Sequence, residues 1–137
     1  MLTAEQLCAF GRDGYLVVRG VVAEPLLADL AAEADALITS RPAPEGTVGF
    51  HHYFEHPSTL PVAHRALRES GVLSLAGELV APLAVDLAFD HIQVATSIHG
   101  WDHQPGGGHI DGYGLEGQTE PHTFTMLAGI YLGDESE

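Results

Sequence analysis

Ile98-His99-Gly100-Trp101-Asp102-His103-Gln104-Pro105-Gly106-Gly107-Gly108-His109-Ile110-Asp111-Gly112-Tyr113 crowds metal-capable side chains into a glycine-rich segment. Runs rich in Val, Ile, Leu and Phe flank it, at 84–96 before and 123–132 after, so residues 100–117 read as the connection between two strands. In extended backbone, residues two apart project to the same side, so His109 and Asp111 can face one metal while Ile110 turns away. Imidazole nitrogen with carboxylate oxygen is the ligand mixture of the two-histidine, one-carboxylate facial triad of non-haem iron, which leaves open positions on Fe(II) for a co-substrate and dioxygen. The pair is short, and its weight comes from the chain around it.

Upstream, Thr3 is an N-cap and Gln6 completes a capping-box pattern, predicting a short helix with Leu7 and Phe10 on its apolar stripe that ends near Gly11. Asp13-Gly14 punctuates the chain, and Tyr15-Leu16-Val17-Val18 reads as a strand ending near Gly20. From Ala23 the spacing of Leu26, Leu27, Leu30, Ala31, Ala34, Leu37 and Ile38 predicts a second helix that ends by Ser40. Residues 41–59 lose periodicity and carry Pro42, Pro44, Gly46, Gly49 and Pro57, which predicts a long loop. Its His51, His52, Tyr53, Phe54 and His56 mark it as pocket-lining. Residues 63–68 and 72–80 read as two short helices separated by Gly71, with Pro82 ending the second.

The chain has 137 residues, 45% of them hydrophobic, which suits one globular domain over 1–137. Nineteen acidic residues against five basic ones give a net charge of −14, which opposes phosphate backbones and anionic membrane surfaces. The expectation is therefore no nucleic acid and no membrane partner, while charge alone names no substrate. Cys8 is the single cysteine and sits in an apolar helical pattern, so it reads as a buried thiol in a chain that needs no oxidising compartment. With no secretory leader pattern and no long apolar window, the chain reads as soluble and cytoplasmic. The glycines at 106–108 match no phosphate loop, and no serine-hydrolase elbow occurs.

Taken together, these segments resemble the phytanoyl-CoA dioxygenase family. The likeness begins at Leu2-Thr3-Ala4-Glu5-Gln6, continues through Phe10 and Asp13 to Val22, and resumes at the glycine-rich approach to His109-Ile110-Asp111. It continues at Thr123-Phe124-Thr125-Met126-Leu127-Ala128-Gly129-Ile130-Tyr131-Leu132-Gly133-Asp134. The resemblance implies an α+β fold: part of a double-stranded β-helix, a cupin-like jelly roll, with flanking N-terminal helices. It implies His109 and Asp111 as iron ligands and 2-oxoglutarate as co-substrate, whose oxidative decarboxylation is coupled to hydroxylation of a small or acyl-type substrate. The carboxylate ligand Asp111 favours hydroxylation over halogenation. Gln93 and Thr125, on the strands flanking the motif, are candidates to reach the co-substrate carboxylate. His99 and Trp101 are candidates to border the substrate pocket.

The family's distal histidine and its co-substrate arginine, a fork suited to bidentate carboxylate binding, fall downstream of the strand ending near Leu132. The chain is therefore expected to be the N-terminal portion of such a fold. Arg12, Arg19, Arg41, Arg65 and Arg68 all precede the motif, and His122 comes too early to match the distal ligand. Two other readings stand beside the enzyme. One is a non-catalytic binding or interaction module that keeps the fold, with a homodimer formed through unclosed strands. The other is a zinc-dependent cupin-like protein that adds His99 or His103 to the ligand set.

Overall fold

A computed structural model describes residues 1–82, 92–98 and 127–133. Helix α1 (Ala4–Asp13) begins where the capping box predicts. Gln6 N–H donates to Thr3 Oγ1 at 3.2 Å, and Thr3 N–H donates to Gln6 Oε1 at 2.9 Å. The helix runs past Gly11 and stops at Gly14, whose φ of 79° is the left-handed conformation that glycine adopts without a Cβ penalty. Gly14 N–H then donates to the Phe10 carbonyl at 2.9 Å. None of the ten residues of α1 is buried, and Cys8 is exposed, contrary to the expectation of a buried thiol. The anchor of this helix lies just ahead of it: Leu2 is buried and its N–H donates to Glu78 at 2.7 Å.

The expected strand at residues 15–18 is not formed. Tyr15 and Val17 are 68% and 63% exposed, and the segment has no ladder partner among the described residues. Aromatic and β-branched side chains favour extended backbone, but a strand also needs a neighbour to bond. Helix α2 (Glu24–Ser40) follows with Pro25 in its first turn and buries Leu30 and Ala34 from its apolar stripe.

The expected loop at 41–59 is in fact half structured. It contains strand β1 (Phe50–Glu55) and a 3-10 turn, Pro57–Thr59. Proline and glycine density mark only the approaches, while Phe50-His51-His52-Tyr53-Phe54 is a strand-forming run that finds its partner far along the chain. Helices α3 (Pro61–Glu69) and α4 (Val72–Val80) come next. Strand β2 (Ile92–Ser97) is the described part of the run expected at 84–96, the remainder of which lies outside the described residues. The strand expected at 123–132 is absent over 127–132, and its first four residues lie outside the described residues.

β1 and β2 pair antiparallel with Tyr53 opposite Val94 and Phe54 opposite Gln93. Beyond β2, Ile98 N–H donates to the Gly49 carbonyl at 2.8 Å. The sheet therefore has two unlike faces. On one, Tyr53 is buried and Ile92 and Val94 are half-buried; on the other, Phe50, His52, Phe54, Gln93, Ala95 and Ser97 are exposed. The covered face meets the core, where Leu30 of α2, Leu60, and Ala63 and Ala66 of α3 cluster with Ile92, Val94 and Ile130 packed against them. Small alanines on α3 let α2 approach closely. The described residues thus form a mixed helix and strand fold, and none of their helices is long and apolar enough to cross a membrane.

Candidate functional site

Of the residues singled out in the sequence, Gln93 lies within the described part. His109, Asp111, His99, Trp101, His103 and Thr125 lie outside it. Among the described residues, no group of three or more His, Cys, Asp or Glu side chains is arranged to hold a metal ion.

Gln93 sits on the open face of β2. Its side-chain amide donates to His52 Nδ1 at 2.8 Å, a bond that places the proton of neutral His52 on Nε2. The register explains why these two meet. The residue directly opposite His52 is Ala95, which offers only a methyl group, so the imidazole reaches the diagonal neighbour. The His52 ring lies between those of Phe50 and Phe54, at centroid separations of 6.3 Å on each side. Alternation along β1 puts these three rings on one face.

On the covered side of β1, the chain turns a run of polar groups against the segment that leaves α2. Tyr53 is 5% exposed, and its hydroxyl donates to the Arg41 carbonyl at 2.8 Å. The Arg41 guanidinium stands 5.8 Å from the centre of the Tyr53 ring and forms an ion pair with Glu55. Thr59 Oγ1 donates to the other Glu55 oxygen at 3.3 Å. His51 packs edge-on to Tyr53 with ring centroids 4.6 Å apart. A shallow, open cleft of about 370 Å³ follows this edge, lined by Arg41, Pro44, His51, Tyr53 and Glu55 among others. Of the aromatic and histidine residues of 41–59, His51, His52, Tyr53 and Phe54 border it.

His56 has a local task instead: its Nδ1 accepts from Ser58 N–H at 3.2 Å and caps the 3-10 turn. His52, Arg41 and Tyr53 carry most of this geometry; the sequence reading placed His52 and Tyr53 in a pocket-lining loop and gave Arg41 no role. The alternation Phe50-His52-Phe54 against His51-Tyr53-Glu55 was the available signal. Comparison with family models, curated proteins and solved structures returns no match for this chain.

Proposed function

We propose that this chain belongs to an Fe(II)- and 2-oxoglutarate-dependent hydroxylase of the phytanoyl-CoA dioxygenase type. The observation in its favour is the two-faced sheet: helices cover one side, and the other presents His52 on β1 and Gln93 on β2, the strand that precedes His109-Ile110-Asp111 in sequence. In a jelly roll the uncovered face would line the barrel, where a metal and its co-substrate would sit.

The donor chemistry fits the group. Imidazole nitrogen and carboxylate oxygen suit Fe(II), and His109 and Asp111 would be two of the protein ligands of a facial triad. The bound metal with 2-oxoglutarate would supply the oxidising power for C–H hydroxylation. This chain's own residues would bind and orient. Gln93 and Thr125 would offer polar hydrogens to the co-substrate carboxylate, and His99 and Trp101 would border the substrate. Aromatic rings such as Phe50 and Phe54 would exclude water from that side.

The test is anaerobic titration of Fe(II) into purified protein with 2-oxoglutarate, reading the weak visible charge-transfer band of the chelate. The expected result is a saturable band in the wild-type protein that His109→Ala abolishes. Well-folded protein without the band overturns the proposal and leaves the binding-module reading; stoichiometric zinc in the purified protein, with no response to iron, favours the zinc reading instead.

A further inference from the structure

We infer that His52 is a positioning residue that fixes the side-chain amide of Gln93 for binding a carboxylate. This inference rests on the hydroxylase reading for the identity of the ligand, 2-oxoglutarate. A free glutamine side chain samples many rotamers and can turn either its oxygen or its nitrogen toward a ligand. The oxygen would repel a carboxylate, and the nitrogen would donate to it. Here one N–H of Gln93 is committed to His52 Nδ1 at 2.8 Å, which sets the amide plane and leaves the second N–H as a donor. The imidazole is itself held, with Phe50 and Phe54 rings tilted 33° and 35° to it on either side. Ala95 opposite His52 keeps the diagonal path open.

The arrangement is therefore pre-organised rather than incidental. The donor that remains, the second Gln93 N–H, belongs to the exposed face of the sheet. A ligand carboxylate meeting that face would find this donor already oriented, with less ordering cost on binding.

The affinity of the anaerobic Fe(II) protein for 2-oxoglutarate, read from the chelate band, tests the inference through a double-mutant cycle. Loss of one oriented hydrogen bond predicts roughly three- to tenfold weaker binding in His52→Ala and in Gln93→Ala. Because His52 acts through Gln93, the double variant should bind no more weakly than Gln93→Ala alone. His52→Asn, which restores an acceptor, should recover part of the loss. In metal-free protein, the ¹⁵N spectrum should show His52 with its proton on Nε2, and Gln93→Ala should remove the hydrogen-bond shift at Nδ1. Unchanged affinity in His52→Ala, or additive losses in the double variant, overturns the inference while the wild-type band stands. A wild-type protein with no band overturns the hydroxylase reading and this inference together. Both side chains are exposed, so the variants keep the fold on which the comparison depends.

Discussion

Removing Glu33 should destabilise the fold by about 2 kcal/mol, because α3 has no cap of its own. Its N-cap residue is Leu60, which makes no side-chain hydrogen bond. A helix leaves its first N–H groups without intrahelical partners, and in α3 those of residues 61–63 can be accounted for before the first backbone bond forms. Pro61 has no N–H. Val62 and Ala63 donate to the two Glu33 oxygens at 2.9 and 2.8 Å, and His64 donates to the Leu60 carbonyl at 3.0 Å. The cap is thus supplied from α2, across the contact that buries Ala63 and Ala66 against Leu30. Two charge-assisted bonds at a positive helix end suggest a larger loss, but both are only partly buried, which argues for about 2 kcal/mol in Glu33→Ala. Glu33→Gln keeps one acceptor oxygen and should lose roughly half of that. For a chain of 137 residues, about 2 kcal/mol corresponds to roughly 6–10 °C in Tm. Urea and thermal unfolding followed by circular dichroism measure both quantities, with an unchanged m-value as the sign that only stability has moved. A Glu33→Ala variant within about 0.5 kcal/mol of wild type would refute the reasoning, since it would mean that water replaces the carboxylate at no cost.

Tyr53→Phe removes the hydroxyl that donates to the Arg41 carbonyl at 2.8 Å and should cost about 0.5–1.5 kcal/mol in urea unfolding, with the ring packing retained. Asp13 should titrate below the usual carboxylate range, because the Arg12 guanidinium donates to both of its oxygens, at 2.7 and 2.6 Å. A depressed folded-state pKa contributes stability above the unfolded value and loses it as pH falls through the folded one. Both side chains are exposed, so this pair should leave no measurable trace in stability against pH. Carboxyl ¹³C shifts followed against pH read the midpoint directly; Arg12→Gln should return it to the ordinary range, and a wild-type midpoint already there would mean that the pair does not form in solution.

The helices were legible because their signals are local. The Thr3–Gln6 box, Pro25, the Leu30–Ala34 stripe and the span Val72–Val80 all agree with what short-range rules predict. The strands were legible only in part: β2 falls in the run expected at 84–96, residues 127–132 of another expected strand are not one, and two further misses have opposite signs. Residues 15–18 have strand composition without a described partner, while Phe50–Glu55 has a partner and sits among the prolines and glycines that suggested a loop. Strand formation is decided by the neighbour, and a neighbour does not appear in a local window. Cys8 fails for a related reason: an apolar stripe on a helix says which side could be buried, and α1 buries none of its residues.

The same distinction governs the candidate site. His109-x-Asp111 could be read as a chelating pair because the chemistry needs only residues two apart in one extended segment. Gln93 could be named as a polar strand residue near that segment, but its partner is 41 positions away in sequence. What brings His52 to it is the pairing register, which sets Ala95 rather than a longer side chain opposite the imidazole. A one-residue slip of that register would carry His52 and Gln93 to different faces of the sheet and bury one of them against Leu30 and Ala66. Burial of Tyr53 and packing of Ile92 and Val94 against the core fix the register and therefore also the orientation of the Gln93 amide. Packing on the covered face and polar geometry on the open face are set by the same constraint.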